Sequence, residues 1–252
     1  MTLRPKDGPV SKPSHACASI IDASLAAIRK RPDDASTWVD LALAYCDDGK
    51  RELAIRTMVR ALELDPESLP IVLDAAVTLS EEDCLDRSIP MLEAVTRFAP
   101  DNSTGWSALG STYFGERNFV EATRAFEVAL NLNPDLARFH YNAGIGHEGQ
   151  GHYAIALAHM QRALALDPGN THFMHGCARL HGLMRNFEAS IAGYRQVLAL
   201  NPNDGWAVLG IATAHIEMGD LRAAIREHAT LRRLDPQLAE QLARWLPAAG
   251  NA

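Results

Sequence analysis

Small residues recur along this chain at two fixed places in a 34-residue period, with larger apolar residues grouped around them at helical spacing. Counting residues 35 to 68 as one period, the eighth position holds Ala42, Ala76, Gly110, Gly144, Ala178 and Ala212. The twentieth holds Ala54, Ser88, Ala122, Ala156, Ser190 and Ala224. Two antiparallel helices need small residues where their backbones approach most closely, and neighbours such as Leu41, Leu109 and Leu130 then interdigitate around the contact. The pattern predicts a helix A over positions 1 to 14 of each period and a helix B over positions 17 to 30. Proline marks the end of each period: Pro32, Pro66, Pro100, Pro134, Pro168, Pro202 and Pro236 stand 34 residues apart. At about 5% average usage, six successive hits at one spacing have a chance probability on the order of 10⁻⁸, so the period is real. Proline cannot continue a helix and pushes the residue before it out of the helical region. Asp34, Ser68, Asn102, Asn170 and Asp204 then stand where an N-cap for the next helix A is wanted.

Six periods follow: 35 to 68, 69 to 102, 103 to 136, 137 to 170, 171 to 204 and 205 to 238. One repeat cannot bury its apolar face alone, so the ends of such a stack need caps. The region 15 to 34 supplies one, a helix over 15 to 31 in the register of a lone helix B, with Ile20, Ala27 and Ile28 on one face. A lone helix A over 237 to 246 supplies the other, with Leu238, Leu242, Trp245 and Leu246 on one face and Pro247 as its stop; residues 239 to 252 hold this cap and a tail. Residues 1 to 14, broken by Pro5, Pro9 and Pro13, read as a flexible segment. The chain is expected to be a complete array. Repeat two departs most from the pattern, with Val72 and Leu79 at usually aromatic positions, an acidic turn Glu81-Glu82-Asp83, and Pro90 early in helix B. Its helix B is expected to start late or to bend.

The third repeat carries Trp106, Leu109, Gly110, Tyr113, Ala122, Phe126, Ala129 and Pro134. This resembles the tetratricopeptide-repeat (TPR) signature at every position, W-x2-L-G-x2-Y followed by A-x3-F, A and P. The resemblance covers most of the chain and implies an all-α, right-handed superhelical solenoid of antiparallel helix pairs. It also implies that helices A line a concave face, with positions 2, 5, 6, 9, 12 and 13 turned into a groove. There the chain places Ser107, Ser111 and Phe114 in repeat three; Arg138, Tyr141, Asn142 and Ile145 in repeat four; His172, His175 and Arg179 in repeat five; and Trp206, Leu209 and Thr213 in repeat six. Arg and Trp are the types enriched at binding hot spots. The carboxylate clamp that some members use to grip a peptide C-terminus is absent, since its positions hold Val39, Leu43, Asp74, Thr104 and Ala108. An asparagine ladder at position 6 is absent as well, Asn142 standing alone.

Charge changes along the array. Repeats one and two carry 14 acids against 6 bases, with Asp40, Asp47, Asp74 and Glu81 at groove positions, whereas repeats four and five carry 4 acids against 5 bases. A long ligand would meet an acidic end, a mildly basic middle and an apolar end. With a net charge of -7 and no basic run beyond Arg29-Lys30-Arg31, the chain lacks the basic stripe that nucleic acid requires. No stretch has the roughly eighteen apolar residues of a membrane span, and the N-terminus has no apolar leader core, so a cytoplasmic location is expected. Cys17, Cys46, Cys84 and Cys177 form no C-x-x-C pair and read as reduced, mostly buried thiols.

Seven of the ten histidines lie between His140 and His181, which raises a metal site. Against it, His140, His147, His181 and His215 fall in columns where the signature has Trp or Tyr, which makes them flat packing residues. Gly144, Gly146, Gly149 and Gly151 mimic a phosphate loop but lie in a helix A and its turn, and none of the common catalytic motifs occurs. The expectation is a non-enzymatic scaffold or adaptor that binds an extended peptide or partner helix, without cofactor or metal. Two alternatives are a histidine-rich small-ligand or metal-binding regulator and the accessory subunit of a separately encoded enzyme.

Overall fold

Where the two small columns predict close helix approach, the helices meet. A computed structural model describes residues 15–246, with side chains from residue 18 onward. Fourteen α-helices and one 3₁₀ turn make up its regular structure, with no strand among the described residues. The chain divides into two compact units, Met1–Leu132 and Asn133–Ala252.

The first unit holds α1 (His15–Lys30), α2 (Ala35–Asp47), α3 (Arg51–Leu64), α4 (Leu69–Glu81), α5 (Leu85–Phe98), α6 (Ser103–Gly115) and α7 (Phe119–Leu132). The second holds α8 (Ala137–Gly149), α9 (Tyr153–Leu166), α10 (Thr171–Leu183), α11 (Phe187–Leu200), α12 (Gly205–Glu217), α13 (Leu221–Leu234) and α14 (Pro236–Ala243). In every repeat, helix A runs over positions 1 to 13 and helix B over positions 17 to 30. All twelve residues of the small columns are buried.

The turn between helices A and B has one geometry throughout. Gly49, Asp83, Arg117, Gly151, Arg185 and Gly219, at position 15, all have φ between 61° and 79°. The amide after each reaches back to the carbonyl five residues earlier, Lys50 to Tyr45 and Asp220 to His215 among them, at 2.8–2.9 Å. This is the Schellman closure, which satisfies carbonyls a helix end would otherwise leave open. A second recurring bond sets where helix A begins. The Nε1–H of Trp38 donates to the carbonyl of Pro32 at 2.8 Å, and that of Trp106 to Pro100 at 2.9 Å. His140 holds the same bond to Pro134 at 2.9 Å, so its Nε2 carries the proton, because a carbonyl only accepts. His140 is therefore a hydrogen-bonding replacement for Trp and more than flat packing.

Several expectations are corrected. Helix B of repeat two starts on time at Leu85, with Pro90 buried inside it. Asn102, Asn170 and Asp204 cap their helices through side-chain bonds, but Asp34 and Ser68 do not. The Ser68 hydroxyl instead donates to the Asp65 carbonyl within the 3₁₀ turn Pro66–Ser68. The inner face of α1 is Ile21, Ser24 and Ile28, with Ile20 exposed. The last helix ends at Ala243, so Leu238 and Leu242 are buried while Trp245 stands 65% exposed. Cys46 is buried and Cys177 half-buried, and burial pushes both thiols up to about 11, but Cys84 is exposed. The expected segment 1 to 14, the Pro247 stop and the Cys17 side chain lie outside the described residues.

Repeat two packs differently from its neighbours. Elsewhere within the two units helix A leans on the helix B before it, α2 on α1, α6 on α5, α10 on α9 and α12 on α11. In repeat two, α5 packs directly against α3 and α2, and α4 rests on α5 and the edge of α6. Three ion pairs cross this arrangement. Arg51 grips Glu93 through two bonds of 2.9 and 2.7 Å, Arg87 grips Asp47 at 2.5 and 2.6 Å, and Arg97 reaches Glu52 at 3.2 Å. Tyr113 joins the first pair, donating to Glu93 at 2.7 Å and accepting from Arg51 at 2.7 Å. Burial, then the bond to Glu93, push the Tyr113 phenol above its ordinary range.

The close approach gives a direct test. A Cβ built on Gly110 would lie 2.5 Å from the Phe126 ring, which is fully buried and has no room to turn away. Gly110→Ala should cost about 1–3 kcal/mol in chemical denaturation. Gly115→Ala, at a helical position where a Cβ meets nothing within 4 Å, should stay within about 0.5 kcal/mol of the parent or gain slightly. Equal stabilities would overturn the packing account.

Candidate functional site

The second unit arranges its three helices A so that equivalent positions form rows. Position 2 gives Arg138, His172 and Trp206, all exposed. Position 5 gives Tyr141, His175 and Leu209, all half-buried, and position 9 gives Ile145, Arg179 and Thr213. The position 5 row is tied to its surroundings. The Tyr141 ring lies 5.2 Å from that of Phe173, and His175 stands edge-on to Tyr194 at 5.5 Å. Leu209 packs onto the cluster around Val208, Ala212 and Leu231. The position 2 row lies out in solvent: Trp206 is 64% exposed, and Arg138 lies over the Phe139 ring, 4.8 Å from its centroid. Asn142 is half-buried on α8 and engaged in interactions of its own.

Charge on this face differs from the expectation. Arg179 pairs with Glu148 of α8, and is thus no free cation. Arg185 faces Glu217 at 3.6 Å. A cleft of about 180 Å³ opens between α10, α11 and α12, lined by Arg179, Leu183, Tyr194, Thr213 and Glu217. Its back wall depends on Gly210, where a Cβ would stand 2.3 Å from the Tyr194 ring. Sequence reasoning missed Tyr194, Glu148 and Glu217. The available signal was the pairing of a bulky tyrosine in the phenylalanine column of helix B with a glycine at position 6 of the following repeat.

In the first unit, the three expected residues on α6 are engaged locally. The Ser111 hydroxyl donates to the Ser107 carbonyl at 3.0 Å, and Phe114 tilts against Phe119 at 5.3 Å. Of the four acids expected there, Asp47 is neutralised by Arg87, while Asp40, Asp74 and Glu81 are exposed.

The histidine rings of repeat four lie side by side, with one pair stacked. His159 lies between His140 at 5.8 Å and His147 at 5.5 Å, the latter nearly parallel, and His152 is 6.0 Å from His147. Among the described residues, no group of three or more His, Cys, Asp or Glu is arranged to hold a metal ion. No described helix is long and apolar enough to cross a membrane.

Comparison with known proteins adds family and fold. Tetratricopeptide-repeat family profiles match residues 37–70, 137–170 and 183–246, together just over half of the chain. A mouse (Mus musculus) protein, Superkiller complex protein 3, is 24% identical over 103 residues, 41% of this chain but only 6% of its own length. Among solved structures, Cut9 in the APC/C hetero-tetramer Cut9-Hcn1 is similar with a TM-score of 0.62 and 19% identity, over 92% of this chain and 46% of that one. YrrB, a TPR protein with an unusual peptide-binding site, is similar with a TM-score of 0.56 and 15% identity, over 89% of this chain and 99% of that one.

The geometry around Asp204 yields a pH prediction. Its Oδ1 accepts from the Ala207 amide at 2.9 Å and its Oδ2 from His175 Nε2 at 3.1 Å. Burial works against its charge, but the His175 bond and the Ala207 and Trp206 amides outweigh burial and hold the carboxyl below the usual range. A carboxylate with a lowered folded-state pKa contributes stability above its unfolded value, which is lost as pH falls through the folded value. Asp204→Ala should therefore cost about 0.5–2 kcal/mol near neutral pH. Its difference from the parent should shrink below about pH 4 in denaturation curves taken across pH. A difference that does not change with pH would remove the carboxylate from the account.

Proposed function

This chain belongs to the tetratricopeptide-repeat family, and from that membership we propose that it holds an extended peptide or a partner helix on the helix A rows of repeats four to six. As a repeat array it is a protein-interaction scaffold, and the finer reading concerns which surface binds. The observation that carries it is Trp206. A tryptophan 64% exposed at the start of α12 keeps a large apolar ring in water, and the free chain gives it no core to join. Trp and Arg dominate hot spots because a large ring or a planar cation gains most when a partner excludes water around it. Arg138 and His172 occupy the same position on α8 and α10, and the Tyr194-backed cleft lies beside Thr213 on the same helix as Trp206. A partner segment laid across the rows would cover an aromatic, an imidazole and a guanidinium in sequence. The peptide-binding site of YrrB, a structural neighbour, is in keeping with this reading.

The test begins with a pull-down from native lysate, followed by titration of the recovered segment. Trp206→Ala and Arg138→Ala should each weaken binding by about 1–3 kcal/mol while leaving the melting temperature nearly unchanged, since both side chains are exposed. Arg162→Ala, exposed on helix B of repeat four, should stay within about 0.5 kcal/mol of the parent. Lower stability with intact affinity in the Trp206 variant would move the site to another face.

A further inference from the structure

Positions 3, 7 and 10 of helix A form the face that leans on the preceding helix B. In α2 they are Thr37, Leu41 and Ala44; in α6, Gly105, Leu109 and Thr112; in α12, Ala207, Ile211 and Ala214, all buried. In α10 only Cys177 is as much as half-exposed. In α4 they are Ile71, Ala75 and Thr78, and all three are exposed, Ile71 by 73%. The cause is the arrangement of repeat two, where α5 has taken the place against α3 that α4 would fill. A helix of sequence LPIVLDAAVTLSE is left with only Val72 and Ala76 buried. Acids border the open face. Residues 61–86 carry eight carboxylates and no base, and Asp74, Glu81 and Glu82 are exposed with no ion pair to a described residue.

The chain itself carries the complement. On α13, Leu221, Ile225 and Ala229 recur at i, i+4 and i+8 and are exposed, Ile225 by 49%. Arg222, Arg226, Arg232 and Arg233 surround this strip, all exposed and none in an ion pair with a described residue. One face is an apolar strip bordered by carboxylates, and the other an apolar strip bordered by guanidinium groups. We propose that α13 of one copy docks on the open face of α4 of a second copy, in the place a preceding helix B holds in other repeats. The contact joins two different faces, so a docked pair still has one free α4 face and one free α13 face, on different copies, and association is head to tail. Two helical faces alone bury less than roughly 1,200 Å², the range of weak, transient contacts. The contact is therefore sensitive to concentration and, because its charges lie at the rim, to salt.

Sedimentation velocity on the full chain, from about 1 µM to a few hundred µM, reads this out. At low salt the average mass should rise with concentration, and at about 1 M salt, where the screening length is only about 3 Å, it should fall back toward one chain. Ile71→Asp and Ile225→Asp should each weaken self-association roughly tenfold or more without lowering the melting temperature, both positions being exposed. Mixed together, these two variants should form a heterodimer, because each retains the face the other has lost. The double variant Glu81→Arg/Glu82→Arg should weaken association in the same way, and Arg226→Glu should restore it when added on the second copy. A chain that stays single at every concentration would overturn the proposal, as would an oligomer indifferent to these variants or variants that do not complement on mixing. A single chain that takes up a synthetic Leu/Arg helical peptide through Ile71 would also overturn it, replacing the second copy with a foreign basic helix.

Discussion

Two helices joined by three residues share a buried face only if their backbones approach within the width of a small side chain. That contact, between columns 8 and 20 with a larger residue from position 24 laid over it, is what the rest of this molecule is built around. Gly110 lies under Phe126, and Gly144 has Met160 and the Ala156 carbonyl within 3.1–3.2 Å of where a Cβ would be. At Ser88 the small side chain also donates to the Ala76 carbonyl at 2.7 Å, so even the polar member of the column is satisfied. The left-handed residue at position 15 follows from the same constraint, because the chain must reverse within the three residues between helices A and B. Close packing fixes the turn, the turn fixes the pitch of the hairpin, and the hairpin fixes which side chains face outward.

Repeat two shows what happens when other forces compete with this geometry. Its hairpin is normal, yet α5 rather than α4 meets the preceding helix B, and ion pairs run along that contact. Arg51, Arg87 and Arg97 find their carboxylates across α2, α3 and α5, and with Tyr113 they form a network in which each charged group has a directed partner. Arg51 and Arg87, each with two bonds to one carboxylate, have the bidentate geometry of the stronger charge-assisted contacts. Stacking is therefore separable from hairpin formation: one repeat keeps the second while altering the first.

The hairpins were legible because their signal is local and repeated six times. Twelve small residues and seven prolines define helix ends to within a residue, and Asn102, Asn170 and Asp204 cap where their spacing places them. The changed stacking of repeat two was not legible, although Val72, Leu79 and Pro90 mark that repeat as unusual. The contacts that distinguish it join residues 40 to 45 apart, such as Arg87 with Asp47 and Arg97 with Glu52, and leave no periodic trace. The candidate surface was legible in part. Arg138, His172 and Trp206 come from the position 2 register alone, but Arg179 looked like a free cation until Glu148, one helix away, accounted for its charge. Trp245 was misplaced because its helix stops at Ala243, short of the turn that would have carried the ring inward.

The ring N–H at position 4 bonds a carbonyl only six residues back, at the proline that ends the previous repeat. Such a bond needs no more than a short stretch of chain to exist. During synthesis, when the chain emerges N-terminus first, each repeat that carries it can orient its helix A as soon as that helix forms. Trp38, Trp106 and His140 supply the bond to repeats one, three and four, whereas Val72, Met174 and Val208 at the same position of repeats two, five and six have no ring N–H to donate. The start of helix A is thus tied by a local bond in three repeats, and in the other three it rests on contacts with the rest of the array.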